Sequence, residues 1–313
     1  REIPLELSPP TIEDAVSDLD RLNRGLKQQD CDIEKLNVGI AVMRQLAEVM
    51  RESRWKVTAS VVRRRCFNEL LEVRSGNGTE PSLGLAIDVG TTTIVVYLVD
   101  MADGSVRAAA SGHNRQAACG DDVINRIVCA EKDGVQKLSG MALATINGLV
   151  GEALDSAGAH VRQVKNAVVA GNTVMTHLLL QIEPRFIRRA PYIPTVAEFP
   201  ILKAGDIGLK AHPAAAVFVM PGPASYVGGD IVAGMLFAGF HREAPLTLFI
   251  DVGTNGEIVL GNREWLMTAA CSAGPAFEGG GIRWGMRAEQ GAIEKVVIHP
   301  GTLEPELVTV GNE

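Results

Sequence analysis

The sequence predicts an α/β protein: two related lobes facing one another across a cleft, preceded by a helical arm and a small α+β unit. Three observations carry this prediction. The first is an internal repeat: LTLFIDVGTNGEIVLG, from Leu246 to Gly261, repeats LGLAIDVGTTTIVVYL, from Leu83 to Leu98, at an offset of 163 residues. Leu83, Leu85, Ile87, Asp88, Val89, Gly90 and Thr91 match Leu246, Leu248, Ile250, Asp251, Val252, Gly253 and Thr254. The second is a change of texture at Leu83, where a Gly/Ser/Pro-bearing linker (Arg74 to Pro81) gives way to dense apolar strands. The third is size: 313 residues, 46% of them hydrophobic, exceed one average domain and can fill more than one core.

The elements follow in order. Residues 2–7 alternate and read as extended, and Ser8-Pro9-Pro10 stops them. Thr11 is placed to cap a helix running to about residue 27, with Glu13 and Asp14 in its first turn. A second helix is expected near 33–52, with Ile40, Met43, Leu46 and Met50 at helical spacing. Trp55–Val62 and Glu69–Val73 read as strands. From Leu83 come strands at 83–90, 93–100 and 105–112, helices at 121–132 and 136–157, a strand at 165–171, and a helix from Asn172 to about Leu180. A Pro-rich connection (189–200), a helix from Ser225 to Phe240, the second repeat copy, a strand from Trp265 to Ala270 and a Gly-rich stretch complete the reading. The expected division is a linker arm over 1–30, a small α+β middle domain over 31–80, and two lobes over about 81–184 and 185–313, the second incomplete at its C-terminus.

Composition narrows the function. A net charge of -7 argues against a nucleic-acid partner, which would require a basic patch. No apolar run is long enough to span a bilayer, and the N-terminus is not a signal peptide, so the reading is of a soluble cytoplasmic protein without a membrane partner. The 5 cysteines (Cys31, Cys66, Cys119, Cys129 and Cys271) form no CxxC pair and read as free thiols in a reducing compartment. The 6 histidines are equally scattered and suggest no metal set.

The repeat carries the chemistry. Two hairpin turns that each present Asp-Val-Gly-Thr suit a polyphosphate. Gly90 and Gly253 allow close approach of the backbone. Turn amides and the hydroxyls of Thr91, Thr92, Thr93 and Thr254 can donate to phosphate oxygens. Asp88 and Asp251, at strand ends, are candidates to hold the hydration shell of a Mg²⁺ bridging two phosphates. Asp251, Asn255 and Glu257 are candidates to orient an attacking water, and Asn172, Gly256, Gly274, Gly279 and Gly280 complete the nucleotide-binding candidates. One such turn is a commonplace hairpin; two at the same point of two matched strands point to ATP with Mg²⁺. No G-x-x-x-x-G-K-[ST] is present. Gly279, Gly281 and Gly285 only approach a dinucleotide fingerprint and follow no strand. The stretch from Cys271 to Ala276 reads equally as a nucleotide-facing loop or an ordinary Gly-rich turn.

At these residues a resemblance becomes specific. The repeat resembles the two phosphate motifs of the acetate/sugar-kinase, heat-shock-chaperone and actin superfamily, which implies duplicated RNase H-like (actin-like ATPase) lobes. Four strings resemble the reductive activators of corrinoid proteins. They are Asn114-Arg-Gln116 followed by Gly120-Asp-Asp-Val-Ile-Asn-Arg126; Ala170-Gly-Asn-Thr-Val-Met-Thr-His177; Asp251-Val-Gly-Thr-Asn-Gly-Glu257; and Cys271-Ser-Ala-Gly-Pro-Ala-Phe-Glu-Gly279. Leu7-Ser-Pro-Pro-Thr11 and Asp18-Leu-Asp-Arg-Leu22 resemble that family's linker. The resemblance implies an ATPase that drives one electron onto a Co(II) corrinoid protein of a methyltransferase system, restoring Co(I), and a homodimer. Family members carry an N-terminal [2Fe–2S] domain. This chain has no C-x4-C-x2-C run, so it is expected to bind ATP but not to donate an electron. It departs from the family at the alanines before Cys119, where an aromatic is expected.

Three rivals share parts of this pattern. A small-molecule kinase of the same fold would need a general base, for which Asp121 or Asp122 are candidates, although both suit the first turn of a helix. An activator with a [4Fe–4S] cluster between subunits would ask Cys119 and Cys129 to face one another across a dimer. A non-enzymatic actin-like scaffold would need neither arm nor middle domain.

Overall fold

The computed structural model describes residues 1–29, 36–63, 67–242, 244–253, 255–272, 283, 285–286 and 290–311. The alternation at the start makes β1 (Glu2–Glu6), with Ile3 and Leu5 turned inward. Then follow α1 (Asp18–Gln29), β2 (Leu36–Val38), α2 (Ile40–Glu52), β3 (Lys56–Arg63) and β4 (Asn68–Ser75). The strands form a sheet in the order β1-β3-β4-β2, with β2 parallel to β4 and the other pairs antiparallel. Leu22 and Leu26 of α1, Leu46 and Met50 of α2, and Ile3, Leu5, Val57 and Leu70 of the sheet share one core. Residues 1–29 thus share a core with residues 36–75, where the sequence reading separates an arm from a middle domain.

Two helix starts differ from expectation. Thr11 Oγ1 does accept the Asp14 amide, at 3.1 Å. The helix nevertheless begins at Asp18, because Arg21 takes both the carboxylate and the carbonyl of Asp14, at 2.5 and 2.6 Å, and holds residues 11–17 in a bend. α2 starts after Gly39, and residues 36–38 pair with β4 instead of extending the helix. Of the expected face only Leu46 and Met50 are buried; Ile40 and Met43 are exposed.

The first lobe contains β5 (Leu83–Val89), β6 (Thr93–Asp100), β7 (Val106–His113), α3 (Val123–Asp133), α4 (Val135–Ala157), β8 (Val164–Gly171), α5 (Thr173–Leu179), β9 (Leu202–Lys203), α6 (Ala204–Ile207) and β10 (Ala216–Val219). Its six strands run β7-β6-β5-β8-β10-β9. β5, β6 and β7 form an antiparallel meander, and β8 lies parallel to both β5 and β10. This sheet continues past residue 184, because β9 and β10 hydrogen-bond into it; residues that the sequence reading gives to the second lobe belong to the first lobe's sheet. β5 is apolar on both faces, as its central place requires. In the register, Val89 pairs with Gly171, so the C-terminal ends of β5 and β8 lie side by side.

Beyond it, α7 (Gly229–Ala238) packs beside β11 (Thr247–Val252), β12 (Asn255–Gly261) and β13 (Leu266–Ser272). The contact is made by Ile231 and Met235 against Phe249 and Val259. β14 (Ile293–Ile298) and β15 (Pro305–Thr309) form a separate hairpin. α7 starts later than the expected Ser225, because Ala224 and Val227 form an isolated bridge and Gly228 is extended. Among the described residues no helix is long and apolar enough to cross a membrane.

Leu22→Ala removes a fully buried side chain from the core shared by α1 and the first sheet. We expect about 2–5 kcal/mol loss of stability, followed in urea by the fluorescence of Trp55. A loss under about 1 kcal/mol would show that α1 is peripheral to that core.

Candidate functional site

The ends of β5 and β8, the β11–β12 turn and the start of α7 enclose a cleft of about 280 Å³. It is lined by Asp88, Gly90, Thr91, Thr92, Thr93, Asn172, Asp230, Asp251, Gly253, Asn255 and Glu257. The two copies of the repeat therefore meet across one cavity. Of the candidates read from the sequence, Gly256 does not line it: Gly256 pairs with Val252 within the sheet and its carbonyl accepts from Cys271 Sγ at 3.4 Å. Thr254, Gly274, Gly279 and Gly280 lie outside the described residues.

The first turn is held from behind. A Cβ at Gly90 would sit 2.4 Å from the Thr93 carbonyl oxygen, so this position must be glycine for the turn to close. Asn114 donates through Nδ2 to the Gly90 carbonyl at 2.9 Å, and its amide donates to the Thr92 carbonyl at 2.8 Å. Arg126 is fully buried and donates through Nη2 to the Thr91 carbonyl at 2.6 Å and through Nε to the Gly120 carbonyl at 2.9 Å. Gln116 supports both: its Oε1 accepts from Asn114 at 3.2 Å and Arg126 at 3.4 Å, and its Nε2 donates to the Leu138 carbonyl at 2.9 Å. Asn172 caps α5 by accepting the Met175 amide at 2.9 Å, and its Nδ2 donates to Thr91 Oγ1 at 3.1 Å. The first two family-like strings thus form one scaffold around the Thr91 turn. Burial lowers the Arg126 guanidinium to about 10, with Asp121 and Asp122 opposing. Asp122 itself caps α3, accepting the Asn125 amide at 2.7 Å, and serves the helix start.

His177, last in the Ala170–His177 string, is buried away from the cleft. Its Nδ1 donates to the Thr173 carbonyl at 2.7 Å and its Nε2 accepts the Val196 amide at 3.3 Å. Burial lowers its pKa, which keeps this neutral tautomer and pins the 189–200 connection to α5.

The second turn differs from the first in a way that matters for charge. Asp88 pairs with Val95, but Asp251 pairs with Glu257, because the β11–β12 turn is one residue shorter. Residues opposite one another across two strands project to the same face, so Asp251 and Glu257 both reach the cleft. Asp230 was not singled out in the sequence. Gly228-Gly229 before it was the available signal: a Cβ at Gly228 would lie 2.4 Å from Asn172 Cα, so only glycine lets α7 start against the end of β8.

Four carboxylates and no basic side chain face the cleft among its lining residues. Desolvation and then the charge on Asp251 raise Asp88. Asp230 is pushed up to about 6 by burial, against its own helix-start hydrogen bond, with Asp88 and Asp251 adding to the shift. Glu257 is pushed up to about 7 by burial, Asp230 and Asp251. Such a cavity favours a cation. Among the described residues no three His, Cys, Asp or Glu side chains are grouped closely enough to hold a metal ion alone.

A β5-β6-β7 meander extended by parallel strands, a repeat of its first hairpin, and a carboxylate-lined cleft between the copies define an actin-like ATPase fold. Three family profiles match the chain: the RACo linker region over residues 1–80, the RACo middle region over 83–243, and the C-terminal domain of RACo, the ASKHA domain, over 245–313. The chain belongs to this family, the reductive activators of corrinoid proteins. The linker profile spans all of 1–80, and the middle-region profile covers the first lobe, where the sequence reading places the linker at 1–30 and the middle domain at 31–80. A solved structure of a "Reductive activator for corrinoid,iron-sulfur protein" matches with a TM-score of 0.85 and 45% identity, over 100% of this chain and 50% of that one. "Corrinoid activation enzyme RamQ" of Eubacterium limosum is 34% identical over 239 residues, 75% of this chain and 40% of that protein. The "[Co(II) methylated amine-specific corrinoid protein] reductase" of Methanosarcina barkeri is 40% identical over 77 residues, 25% of this chain and 14% of that protein. The chain spans half or less of the length of these relatives.

The raised carboxylates make a signed prediction. Their folded-state pKa values lie above the unfolded ones of about 4, so their contribution to stability is present below about pH 4 and is lost as pH rises through 6 and 7. Asp230→Asn should therefore melt higher than wild type without ligand, with a gap that widens from pH 5.5 to 8. A gap that stays constant with pH would contradict the carboxylate cluster.

Proposed function

We propose that the cleft binds Mg-ATP and hydrolyses it, and that the full-length protein couples this to one-electron reduction of a Co(II) corrinoid protein to Co(I). The observation that carries the nucleotide reading is the meeting of two Asp-Val-Gly turns in one cavity whose four carboxylates have no basic partner among the lining residues. Mg²⁺ would neutralise the charge between these carboxylates and the β- and γ-phosphates.

In this reading Asp88 and Asp251 hold the hydrated ion from opposite turns. The amides and hydroxyls of Gly90, Thr91, Thr92, Thr93 and Gly253 face the phosphate oxygens, with Asn172 orienting the Thr91 hydroxyl. Thr254, Gly274, Gly279 and Gly280 are assigned to the same nucleotide from the family motif. Asn255 and Glu257 orient the attacking water. Glu257, at about 7, titrates where a general base for neutral pH should. Asp230 stands at the positive end of α7 and shares the cleft's charge with Asp88 and Asp251.

The family to which the chain belongs and the names of its relatives support the corrinoid role. Driving an electron uphill costs about a factor of ten in equilibrium constant per 59 mV, and a hinged two-lobed ATPase can supply the bias by favouring one docked state when nucleotide closes it. We place the electron donor in a [2Fe–2S] domain of the full-length protein, and assign it a homodimeric, cytoplasmic form and a corrinoid protein of a methyltransferase system as its partner.

Titration of this chain with Mg-ATP should give saturable binding, and Asp88→Asn and Asp251→Asn should each weaken it at least tenfold; unchanged binding in both would remove the site assignment. Asn255→Ala should lower turnover more than affinity, and the reverse order would take Asn255 out of the catalytic group. For the full-length protein, chemically reduced and mixed with a Co(II) corrinoid protein, the Co(I) absorption should grow only when Mg-ATP is present. Growth without nucleotide, or none with it, would refute the coupling.

A further inference from the structure

Three successive carbonyls of the first turn are taken from the buried side. Asn114 Nδ2 donates to the Gly90 carbonyl at 2.9 Å, Arg126 Nη2 to the Thr91 carbonyl at 2.6 Å, and the Asn114 amide to the Thr92 carbonyl at 2.8 Å. Asn114 and Arg126 are both fully buried. A trans peptide points its N–H opposite to its C=O. The peptide units that begin at Gly90, Thr91 and Thr92 therefore turn their positive ends away from this scaffold, and Gly90, Thr91, Thr92 and Thr93 line the cleft. The middle unit differs in kind: its carbonyl accepts from a guanidinium, whereas its two neighbours accept from neutral amides.

The other contacts of Arg126 leave its charge uncompensated. The Gly120 carbonyl at 2.9 Å, Gln116 Oε1 at 3.4 Å and Met175 Sδ at 3.2 Å are all neutral. Asp121 and Asp122 act on it by charge alone, without a hydrogen bond. Asp122 is engaged instead by the amide and side chain of Asn125, at 2.7 and 2.8 Å. A charged donor polarises the peptide it binds, and the polarisation reaches the N–H at the far end.

We propose that Arg126 is a positioning residue for the phosphates: its uncompensated charge acts through the Thr91–Thr92 peptide on an anion held at the first turn. The proposal rests on the Mg-ATP reading of the cleft. It sets the phosphate oxygens at the turn that a buried cation backs, and not at Asp230, Asp251 and Glu257. Preorganised dipoles of this kind cost nothing to reorient when the ligand arrives.

Met175 separates charge from shape. Its side chain is fully buried, with Sδ against Arg126 Nη1. Met175→Glu puts a carboxylate beside Nη1 and leaves the bond to Thr91 in place, and Met175→Gln has the same length without the charge. Mg-ATP affinity of this chain, measured by calorimetry, should fall about fivefold or more in Met175→Glu and stay within about twofold of wild type in Met175→Gln. Equal affinity in the two variants, or a loss in Met175→Gln as large as that in Met175→Glu, would overturn the proposal, because a purely structural scaffold responds to shape and not to the added charge. Where circular dichroism shows that the buried carboxylate unfolds the chain, Arg126→Lys and Arg126→Gln decide. Lysine keeps the charge and glutamine does not, so the lysine variant should bind Mg-ATP about fivefold more tightly or better; equal affinities would overturn the role of the charge. Failure of the wild type itself to bind Mg-ATP would remove the reading of the cleft, and this proposal with it.

Discussion

A buried guanidinium organises the first half of this site. Arg126 is fully enclosed, and its hydrogen bonds go to two main-chain carbonyls, the amide oxygen of Gln116 and the sulfur of Met175. None of these is a carboxylate. A buried charge without a counter-charge in contact is expensive, and burial here already lowers the group to about 10. The arrangement is tolerated because each acceptor is itself fixed: Thr91 by its turn, Gly120 by its close contact with α3, Gln116 by Asn114 and Leu138. The result places a positive charge one residue behind the loop that faces the cleft.

The second lobe supplies the opposite. Its copy of the hairpin has no equivalent scaffold among the described residues, and its shorter turn brings Glu257 opposite Asp251. α7 adds Asp230 from a third direction, seated by the contact of Gly228 with Asn172. One wall of the cleft is therefore the hydroxyls and amides of the Thr91 turn beside Asp88, backed by a buried cation, and the other carries Asp230, Asp251 and Glu257, of which Asp230 and Glu257 are pushed up to about 6 and about 7. In the reading proposed above, a magnesium–polyphosphate would meet both walls at once.

β8 connects this cleft to the N-terminal unit. Near its start, the Lys165 ammonium binds the Glu2 carboxylate and the Ser60 hydroxyl, and Glu2 also takes the Arg74 guanidinium. Burial works against ionisation of Glu2, but Lys165, Ser60 and Arg74 outweigh it and hold the carboxyl below its usual range. At its other end β8 delivers Gly171 and Asn172 to the Thr91 turn. The unit over residues 1–80 is thus tied to the strand that ends at the site, and the Arg162–Glu80 and Lys203–Glu69 ion pairs fasten it to the same lobe.

The sequence alone determined the repeat, and with it the two hairpins, their aspartates and the prediction that they face one cavity, because a matched strand–turn–strand pattern is local and periodic. The helix start at Asn172 was legible for the same reason, whereas Asp122, read as a first-turn residue, is the cap before Val123. What the tertiary structure decided depends on distant residues. The ion pairs of Asp14 delay the first helix, strand pairing carries the first lobe's sheet past residue 184, and register puts Glu257 opposite Asp251. Asp230 enters the cleft only because backbones pack at separations that no spacing in the sequence encodes.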